Sequence, residues 1–315
     1  MIRKAAIVSI SGPTLTKKEI IIIKKEKPWG IILFKRNILS KNQLITLTKS
    51  IKRIMKDKKY PILIDEEGGK VSRFSNFLDN SLYNQKYFGD IYKQDKQISI
   101  KLYKLYIDSL SNVLTKVGIN INTSPVLDLT KKNTHSVIGS RSYSVNPFTV
   151  NELGKSSVKF YKKNKIATVI KHIPGHGGAN LDSHFALPVV NDTLQSLKKK
   201  DFRCFKNISS FFAMTAHILF SKIDKKNNAT HSSVILNKII RKEIGFKGVL
   251  ISDDISMKAL KYDFIENAKV ALMSGCNLVL YCAGKTPELK QLLKQMPYID
   301  KFTMKKTSEF YKFLS

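Results

Sequence analysis

The stretch IATVIKHIPGHGGANLDSH, residues 166–184, decides how the rest of the chain is interpreted. Its first five residues are apolar or β-branched, which is typical of a strand buried on both faces. Glycines, a proline, three histidines and an aspartate follow at once. Glycine lets the backbone turn tightly beside a ligand, and histidine exchanges protons near neutral pH. The stretch therefore predicts a buried strand that opens into a candidate functional loop.

Runs of the same kind recur along the whole chain. The predicted strands are residues 5–10, 30–34, 60–65, 119–129, 166–172, 212–217, 248–253 and 276–281. Segments with Leu or Ile at helical spacing predict helices at residues 13–27, 40–58, 95–117, 146–164, 192–207, 232–244, 255–274 and 285–295. Eight strand and helix repeats without a long linker predict one domain, a (β/α)8 barrel over residues 1–315. A doubly wound open sheet shares this alternation and is the alternative fold.

Composition limits the class of protein. Apolar residues make up 43% of the 315 and charged residues 25%, which is ordinary for a globular chain with a large core. No apolar run reaches the roughly 18 residues that a membrane span requires. The first ten residues resemble a signal peptide, but their apolar part is too short, so we interpret them as a strand. Three cysteines without metal or disulfide spacing predict a reducing, cytoplasmic setting.

The formal net charge is +31, which raises the possibility of a nucleic acid or another anionic polymer as partner. The lysines are spread over nearly every predicted helix and do not form one patch with interleaved aromatic residues. Solvated helix surfaces explain this distribution better. We therefore expect no specific nucleic-acid partner.

Ionisable side chains follow five successive predicted strands, and the carboxyl ends of barrel strands meet at one rim. These side chains are Asp65, Glu66 and Glu67 after the third strand, Asp128 in the fourth, Lys171 and His172 in the fifth, His217 in the sixth, and Asp253 and Asp254 in the seventh. Residues 66–94 and 130–145 are longer than ordinary connections and are candidate substrate loops. The rim is therefore the predicted active site.

Aspartate and histidine at such a rim favour glycoside cleavage. One carboxylate can attack or stabilise the anomeric carbon while a second group protonates the leaving oxygen. Asp253 is the candidate nucleophile, and His184 is the candidate acid. Asp182 lies two residues before His184, on the same side of an extended chain, and can orient its imidazole.

A metal site is the competing interpretation, because His172, His176, Asp182 and His184 could supply nitrogen and oxygen ligands. No zinc-protease spacing occurs, and Lys171 adds a cation to the same cluster. We therefore expect neither a metal nor an organic cofactor.

Several of these motifs together resemble one enzyme family. They are KHIPGHG at 171–177, DSH at 182–184 and SDDISM at 252–257, supported by GIILF at 30–34, residues 65–73, residues 122–128, IGSRS at 138–142 and residues 271–280. The pattern is similar to glycoside hydrolase family 3, and more narrowly to its β-N-acetylglucosaminidases of peptidoglycan recycling. The resemblance covers most of the chain.

The resemblance implies a barrel that releases terminal β-linked N-acetylglucosamine from muropeptide fragments with retention, through a covalent intermediate on Asp253. It implies that His184 is the acid and then the base, with Asp182 as its partner. By the same comparison, the sugar would be held by Asp65, Arg73, Arg141, Lys171 and His172. His176 is then expected to structure the loop rather than to act in catalysis.

Two positions depart from the family pattern, which usually has Gln and Arg where this chain has Glu66 and Lys70. Glu66 could change the charge of the pocket, and Lys70 lacks the planar fork of arginine. Two other functions stay open: a phosphorylase that uses phosphate as acceptor, and an inactive barrel that binds anionic polymers. We expect a monomer.

Overall fold

The computed structural model describes residues 2–130, 138–176 and 187–315. Within these ranges the strands are β1 Lys4–Val8, β2 Pro28–Leu33, β3 Ile62–Ile64, β4 Ile121–Asn122, β5 Ala167–Ile173, β6 Val189–Val190, β7 Phe212–Thr215, β8 Leu219–Phe220, β9 Val249–Asp254 and β10 Leu278–Tyr281. Eight of them form a closed parallel barrel in the order β1-β2-β3-β4-β5-β7-β9-β10, with β10 beside β1. The predicted (β/α)8 barrel is confirmed, and the open sheet is wrong.

Helices connect the barrel strands on the outside. In the same ranges the α-helices are α1 Lys17–Glu26, α2 Lys41–Ile54, α3 Gln85–Gln94, α4 Lys96–Lys116, α5 Pro147–Lys163, α6 Leu194–Lys199, α7 Phe264–Ser274, α8 Thr286–Gln295 and α9 Lys301–Phe313. Residues Ile235–Ile244 form a π-helix. None of the helices in the described ranges is both long and apolar enough to cross a bilayer.

Successive side chains of each barrel strand point alternately into the barrel and toward the helices, which divides the core into two layers. In β1, Ala5 and Ile7 belong to the cluster inside the barrel, whereas Ala6 and Val8 belong to the cluster between the barrel and its helices. Both faces of β1 are buried, since all four side chains are at most 3% exposed. Burial on both faces explains why the barrel strands are continuous apolar runs in the sequence.

The C-terminal helix α9 closes the amino-terminal end of the barrel, a position that the sequence did not predict. Phe310 is fully buried and packs on Trp29 and Phe212, with ring centroids 6.3 and 5.4 Å apart. The indole Nε1 of Trp29 donates to the hydroxyl of Thr307 at 2.9 Å. The active-site rim is therefore at the other, open end.

Three predicted elements differ from the structure. The fourth strand was predicted over 119–129, but regular pairing stops after Asn122 because Pro125 has no amide hydrogen for the ladder. The helix predicted at 255–274 begins only at Phe264, where the carboxylate of Asp263 caps it. The helix predicted at 192–207 is α6 followed by a short 3-10 turn, Phe202–Phe205.

Removing the Phe310 ring should loosen the closed end of the barrel. We expect Phe310→Ala to lower the free energy of unfolding by about 3 to 5 kcal/mol, because the cavity that it leaves is surrounded by rigid aromatic rings. Urea unfolding at neutral pH measures the difference. Met273→Ala, at a side chain that is 86% exposed, is the control and should change little. Equal stability of the two variants would contradict this role of α9.

Candidate active site

A cavity of about 200 Å³ lies at the carboxyl end of the barrel. Strand ends and the two long inserted loops line it, through Phe34, Asp65, Glu67, Val71, Arg73, Ile138, Arg141, Lys171, His172, His176, Met214, Asp253, Asp254, Met257, Leu280 and Cys282. A larger cleft of about 900 Å³ lies on the flank, between α3 and the start of α5, and none of its lining residues belongs to a barrel strand. The small cavity is therefore the site at which the rim residues meet.

Six of the eight predicted site residues share this cavity. They are Asp65, Arg73, Arg141, Lys171, His172 and Asp253. The other two, Asp182 and His184, lie outside the described residues. His176, at the end of the preceding described range, lines the same cavity.

Lys171 is the centre of a buried ion-pair network. Its side chain is 4% exposed, and its Nζ lies 2.9 Å from Asp65 Oδ1 and 2.6 Å from Glu67 Oε1. The hydroxyl of Thr123 is a third contact of the ammonium group, at 3.2 Å. A buried ammonium ion is very costly without such partners, so the two carboxylates and the lysine stabilise one another in place.

Two arginines from the inserted loops extend the network. Arg141 donates from Nε and Nη2 to the two oxygens of Glu67, at 2.8 and 2.9 Å, which is the bidentate geometry that fixes a guanidinium most firmly. Arg73 approaches Asp65 Oδ2 at 3.4 Å only and is 25% exposed. Its Nε is buried and has no hydrogen-bond partner within the described residues. Arg73, which lines the cavity, is therefore the less tightly held of the two arginines.

The network keeps its groups ionised. Burial alone would raise the pKa of Glu67, but Arg141 and Lys171 outweigh it and lower the pKa to about 2. Burial would likewise raise the pKa of Asp65, yet Lys171 and Arg73 hold that pKa well below its usual range. Burial lowers the pKa of Lys171 less than Asp65 and Glu67 raise it, so the ammonium form persists.

Asp128 organises the histidines of β5 and the following turn. Its fully buried carboxylate accepts a hydrogen bond from Nδ1 of His172 at 2.7 Å and from the amide of His176 at 2.7 Å. With Nδ1 engaged, Nε2 is the nitrogen that His172 can offer to a ligand. Burial lowers the pKa of His176 to about 4, so this second imidazole is neutral at pH 7.

Asp253 stands half-buried near the end of β9, where neighbouring strands fix the backbone around it. Its Oδ1 accepts from the amide of Asp254 at 2.8 Å. The carbonyl of Asp254 accepts from Nε2 of His217 at 3.0 Å, and the Asp254 carboxylate accepts from the amide of Cys282 at 3.1 Å. Contacts to residues that closely follow β7 and β10 therefore hold this turn.

The pKa values of the adjacent Asp253 and Asp254 are shifted in opposite directions. Burial would raise the pKa of Asp253, but His217, His172 and Lys171 outweigh it, and the net shift is downward. For Asp254, burial is the dominant cause and its pKa is raised. Asp253 therefore ionises more readily than Asp254, and an ionised carboxylate is the form that a nucleophile requires.

The two departures from the family pattern both lie outside the cavity lining. Glu66 is fully buried behind the rim, and Lys70 is exposed to solvent. Glu67, to which the sequence assigned no separate role, proves to be the carboxylate that joins Lys171 to Arg141. Side chains alternate across a strand end, so Glu67 faces the same way as Asp65 and Glu66 faces the opposite way. This alternation was the signal in the sequence that would have identified Glu67.

A carboxylate facing a ring of paired charges at the mouth of a (β/α)8 barrel is an arrangement that can cleave polar substrates such as glycosides. The model of the glycosyl hydrolase family 3 N-terminal domain matches residues 5–308. The β-hexosaminidase of Shewanella frigidimarina is 35% identical over 282 residues, which cover 87% of this chain and 80% of that protein. The chain belongs to glycosyl hydrolase family 3 and is a glycoside hydrolase, as the resemblance implied.

Solved structures agree with this assignment. The crystal structure of NagZ from Neisseria gonorrhoeae in complex with N-trifluoroacetyl-D-glucosamine matches with a TM-score of 0.87 and 29% identity, over 100% of this chain and 90% of that chain. The family 3 β-N-acetylglucosaminidase of Paenibacillus sp. str. FPU-7 matches with a TM-score of 0.86 and 26% identity, over 98% of this chain and 60% of that chain.

The charge network of the cavity should make stability depend on pH. Because the pKa of Glu67 falls to about 2 in the folded state from an ordinary 4.5, its contribution is complete above pH 4.5 and is lost as the pH falls toward 2. The shift corresponds to about 3 kcal/mol. We expect Glu67→Gln to be less stable at pH 7 and to show a flatter loss of stability between pH 4.5 and 2.

Urea unfolding at a series of pH values measures this dependence. Asp90→Asn, at an exposed carboxylate on α3 that pairs with Lys86 across one helix turn, is the matched control. It should keep the slope of the unmodified protein. A Glu67→Gln protein with the same slope as that control would show that Glu67 does not carry the effect.

Proposed function

We propose that this protein is a retaining exo-β-N-acetylglucosaminidase that removes terminal N-acetylglucosamine from muropeptide fragments during cell-wall recycling. The observation that carries the proposal is one cavity shared by Asp253 and five candidate sugar-binding residues. The β-hexosaminidase relatives and the family 3 β-N-acetylglucosaminidase structure support the choice of sugar.

Five side chains are proposed to hold the sugar. Asp65 accepts hydrogen bonds, and Arg73, Arg141 and Lys171 donate them, so that neighbouring hydroxyl groups can each meet a charged partner. His172, which also lines the cavity, is proposed to add Nε2. Since Lys171 is already paired with carboxylates, a sugar hydroxyl meets groups whose positions are fixed before binding, which lowers the entropic cost of recognition.

Catalysis is proposed to proceed in two displacements. A carboxylate oxygen of Asp253 attacks the anomeric carbon while the bond to the leaving oxygen breaks, and His184 gives that oxygen its proton. Water then attacks the same carbon, His184 takes the proton of the water, and the bond to Asp253 breaks. Asp182 is proposed to orient the imidazole of His184 in both steps. The roles of His184 and Asp182 come from the sequence motif.

Water is favoured over phosphate as the acceptor. Four carboxyl groups, those of Asp65, Glu67, Asp253 and Asp254, line the cavity with the three fixed cations Arg73, Arg141 and Lys171. Arg141 and Lys171 are already paired with Glu67 and Asp65, so a phosphate dianion near Asp253 would be repelled, whereas neutral water would not.

The remaining parts of the proposal concern setting and assembly. All three cysteines are free thiols, which supports the cytoplasm as the compartment. We propose that residues 1–315 act as one domain, since β1 and β10 pair with each other and the family match spans nearly all of the chain. That the protein acts as a monomer without metal or cofactor stays a prediction from the sequence. Muropeptides carry carboxylates, so part of the +31 charge can assist their capture.

Release of nitrophenol from 4-nitrophenyl N-acetyl-β-glucosaminide tests the proposal. Asp253→Ala should lose at least about a thousandfold in kcat/KM, because the covalent step has no replacement nucleophile. Asp90→Asn should keep full activity as the exposed carboxylate control. Full activity of Asp253→Ala would contradict the nucleophile assignment.

His184→Ala separates acid from base catalysis. Nitrophenol leaves without much protonation, so the first step should survive while hydrolysis of the intermediate slows by roughly a hundred- to ten-thousandfold. The expected record is a burst of one equivalent of nitrophenol followed by slow turnover. Uniform loss of both phases would argue against an acid and base role.

Two further measurements distinguish the alternative functions. With phosphate supplied, a phosphorylase would form the sugar 1-phosphate, whereas the proposed hydrolase forms free N-acetylglucosamine. A metal-dependent hydrolase would lose activity on chelation, whereas the proposed enzyme should keep it. Salt-dependent binding to DNA without glycosidase turnover would favour the inactive barrel that binds anionic polymers.

A further inference from the structure

Glu66 is a buried carboxylate beside the cavity that faces away from it. Its side chain is inaccessible to solvent, whereas its neighbours Asp65 and Glu67 both line the cavity. No ion pair involving Glu66 is formed within the described part of the chain. A charged group in this position needs hydrogen-bond donors, and the identity of those donors shows what the side chain does.

The donors to Glu66 come from the inserted loop. Oε2 accepts from the backbone amides of Arg73 at 2.7 Å and Phe74 at 3.2 Å, and Oε1 accepts from Nδ2 of Asn80 at 3.0 Å. The carboxylate thereby ties two points of the loop, seven residues apart, to the end of β3. The backbone of Glu66 is fixed independently, by reciprocal hydrogen bonds with the side chain of Asn122.

The position of Arg73 depends on this backbone anchor, whereas Arg141 is held by contacts of its own side chain. Arg141 has its own bidentate contact with Glu67, whereas the guanidinium of Arg73 has one long contact with Asp65 and lies over the ring of Phe34 at 5.5 Å. A side chain with weak contacts is placed mainly by its backbone. The hydrogen bond from its amide to Glu66, at 2.7 Å, is shorter than either of these guanidinium contacts and helps to set where Arg73 enters the cavity.

We propose that Glu66 is a positioning residue for substrate binding, which sets the loop backbone so that the guanidinium of Arg73 meets the sugar. This inference rests on the proposed function of the site. This role requires a side chain long enough to accept hydrogen bonds from the loop backbone while it contacts Asn80. It does not require the negative charge. Glu66 itself touches neither the substrate nor the reacting atoms.

Two substitutions separate shape from charge. Glu66→Gln keeps the length, and its oxygen can accept from both backbone amides while its amino group faces Asn80, whose amide can rotate to present its oxygen. Glu66→Asp keeps the charge but is one methylene shorter, so it cannot reach Arg73 and Asn80 together. We expect the KM of Glu66→Gln to stay within about twofold and that of Glu66→Asp to rise about tenfold, with kcat changed far less in both.

A double-substitution cycle shows whether the effect passes through Arg73. In an Arg73→Ala background, Glu66→Asp should raise KM no further, because the side chain that it positions is gone. An unchanged KM in Glu66→Asp, a tenfold rise in Glu66→Gln, or full additivity with Arg73→Ala would each overturn the proposal. Asp79→Asn, an exposed change in the same loop, is the control and should leave KM unchanged.

Amide hydrogen exchange tests the anchor without reference to catalysis. The amides of Arg73 and Phe74 should exchange faster in Glu66→Asp than in the unmodified protein, and at the unmodified rate in Glu66→Gln. Equal rates in all three proteins would refute the anchor. If these exchange rates are as expected but the unmodified protein has no glycosidase activity, the proposed function is wrong and the anchor is still supported. The two failures are therefore distinguishable.

Discussion

The buried ammonium group of Lys171 is the constraint on which the rest of the site depends. An ion at 4% exposure is tolerable only when anionic partners lie at hydrogen-bond distance, and Asp65 and Glu67 meet that requirement. Each of those carboxylates in turn pairs with an arginine from an inserted loop. The charge of one strand residue therefore dictates the arrangement of the β3 end and of both loops.

The scaffold and the loops contribute differently to this arrangement. Residues at the ends of β5 and β9 are placed by barrel register, which a closed parallel sheet leaves little freedom to change. The arginines come from chain segments that have no ladder, and they are placed by side-chain contacts such as that between Glu67 and Arg141. Specificity can thus change through the loops while the barrel and the candidate nucleophile stay in place.

The sequence predicted the barrel and most of the rim because both follow from local patterns. Apolar runs identified the eight strands, and the positions of Asp65, Lys171 and Asp253 at strand ends followed from them. The role of Glu67 was not predicted, although alternation within residues 65–67 contained the signal. The position of α9 was beyond prediction, because the contact of Phe310 with Trp29 joins residues 281 positions apart and no local pattern indicates such a pairing. Asp182 and His184 stay predictions from the motif.

The pairing of the first barrel strand with the last has a consequence for how the chain folds. Ala6 of β1 lies opposite Val279 of β10 in the closed sheet. The barrel therefore cannot close before most of the chain has left the ribosome. Until then β1 exposes one unpaired edge, and its contacts have the greatest sequence separation in the sheet, which makes them slow to form. Such a nascent chain is vulnerable to association through this edge. Like charges repel one another, so the lysines spread over the helices would also help to keep partly folded copies apart.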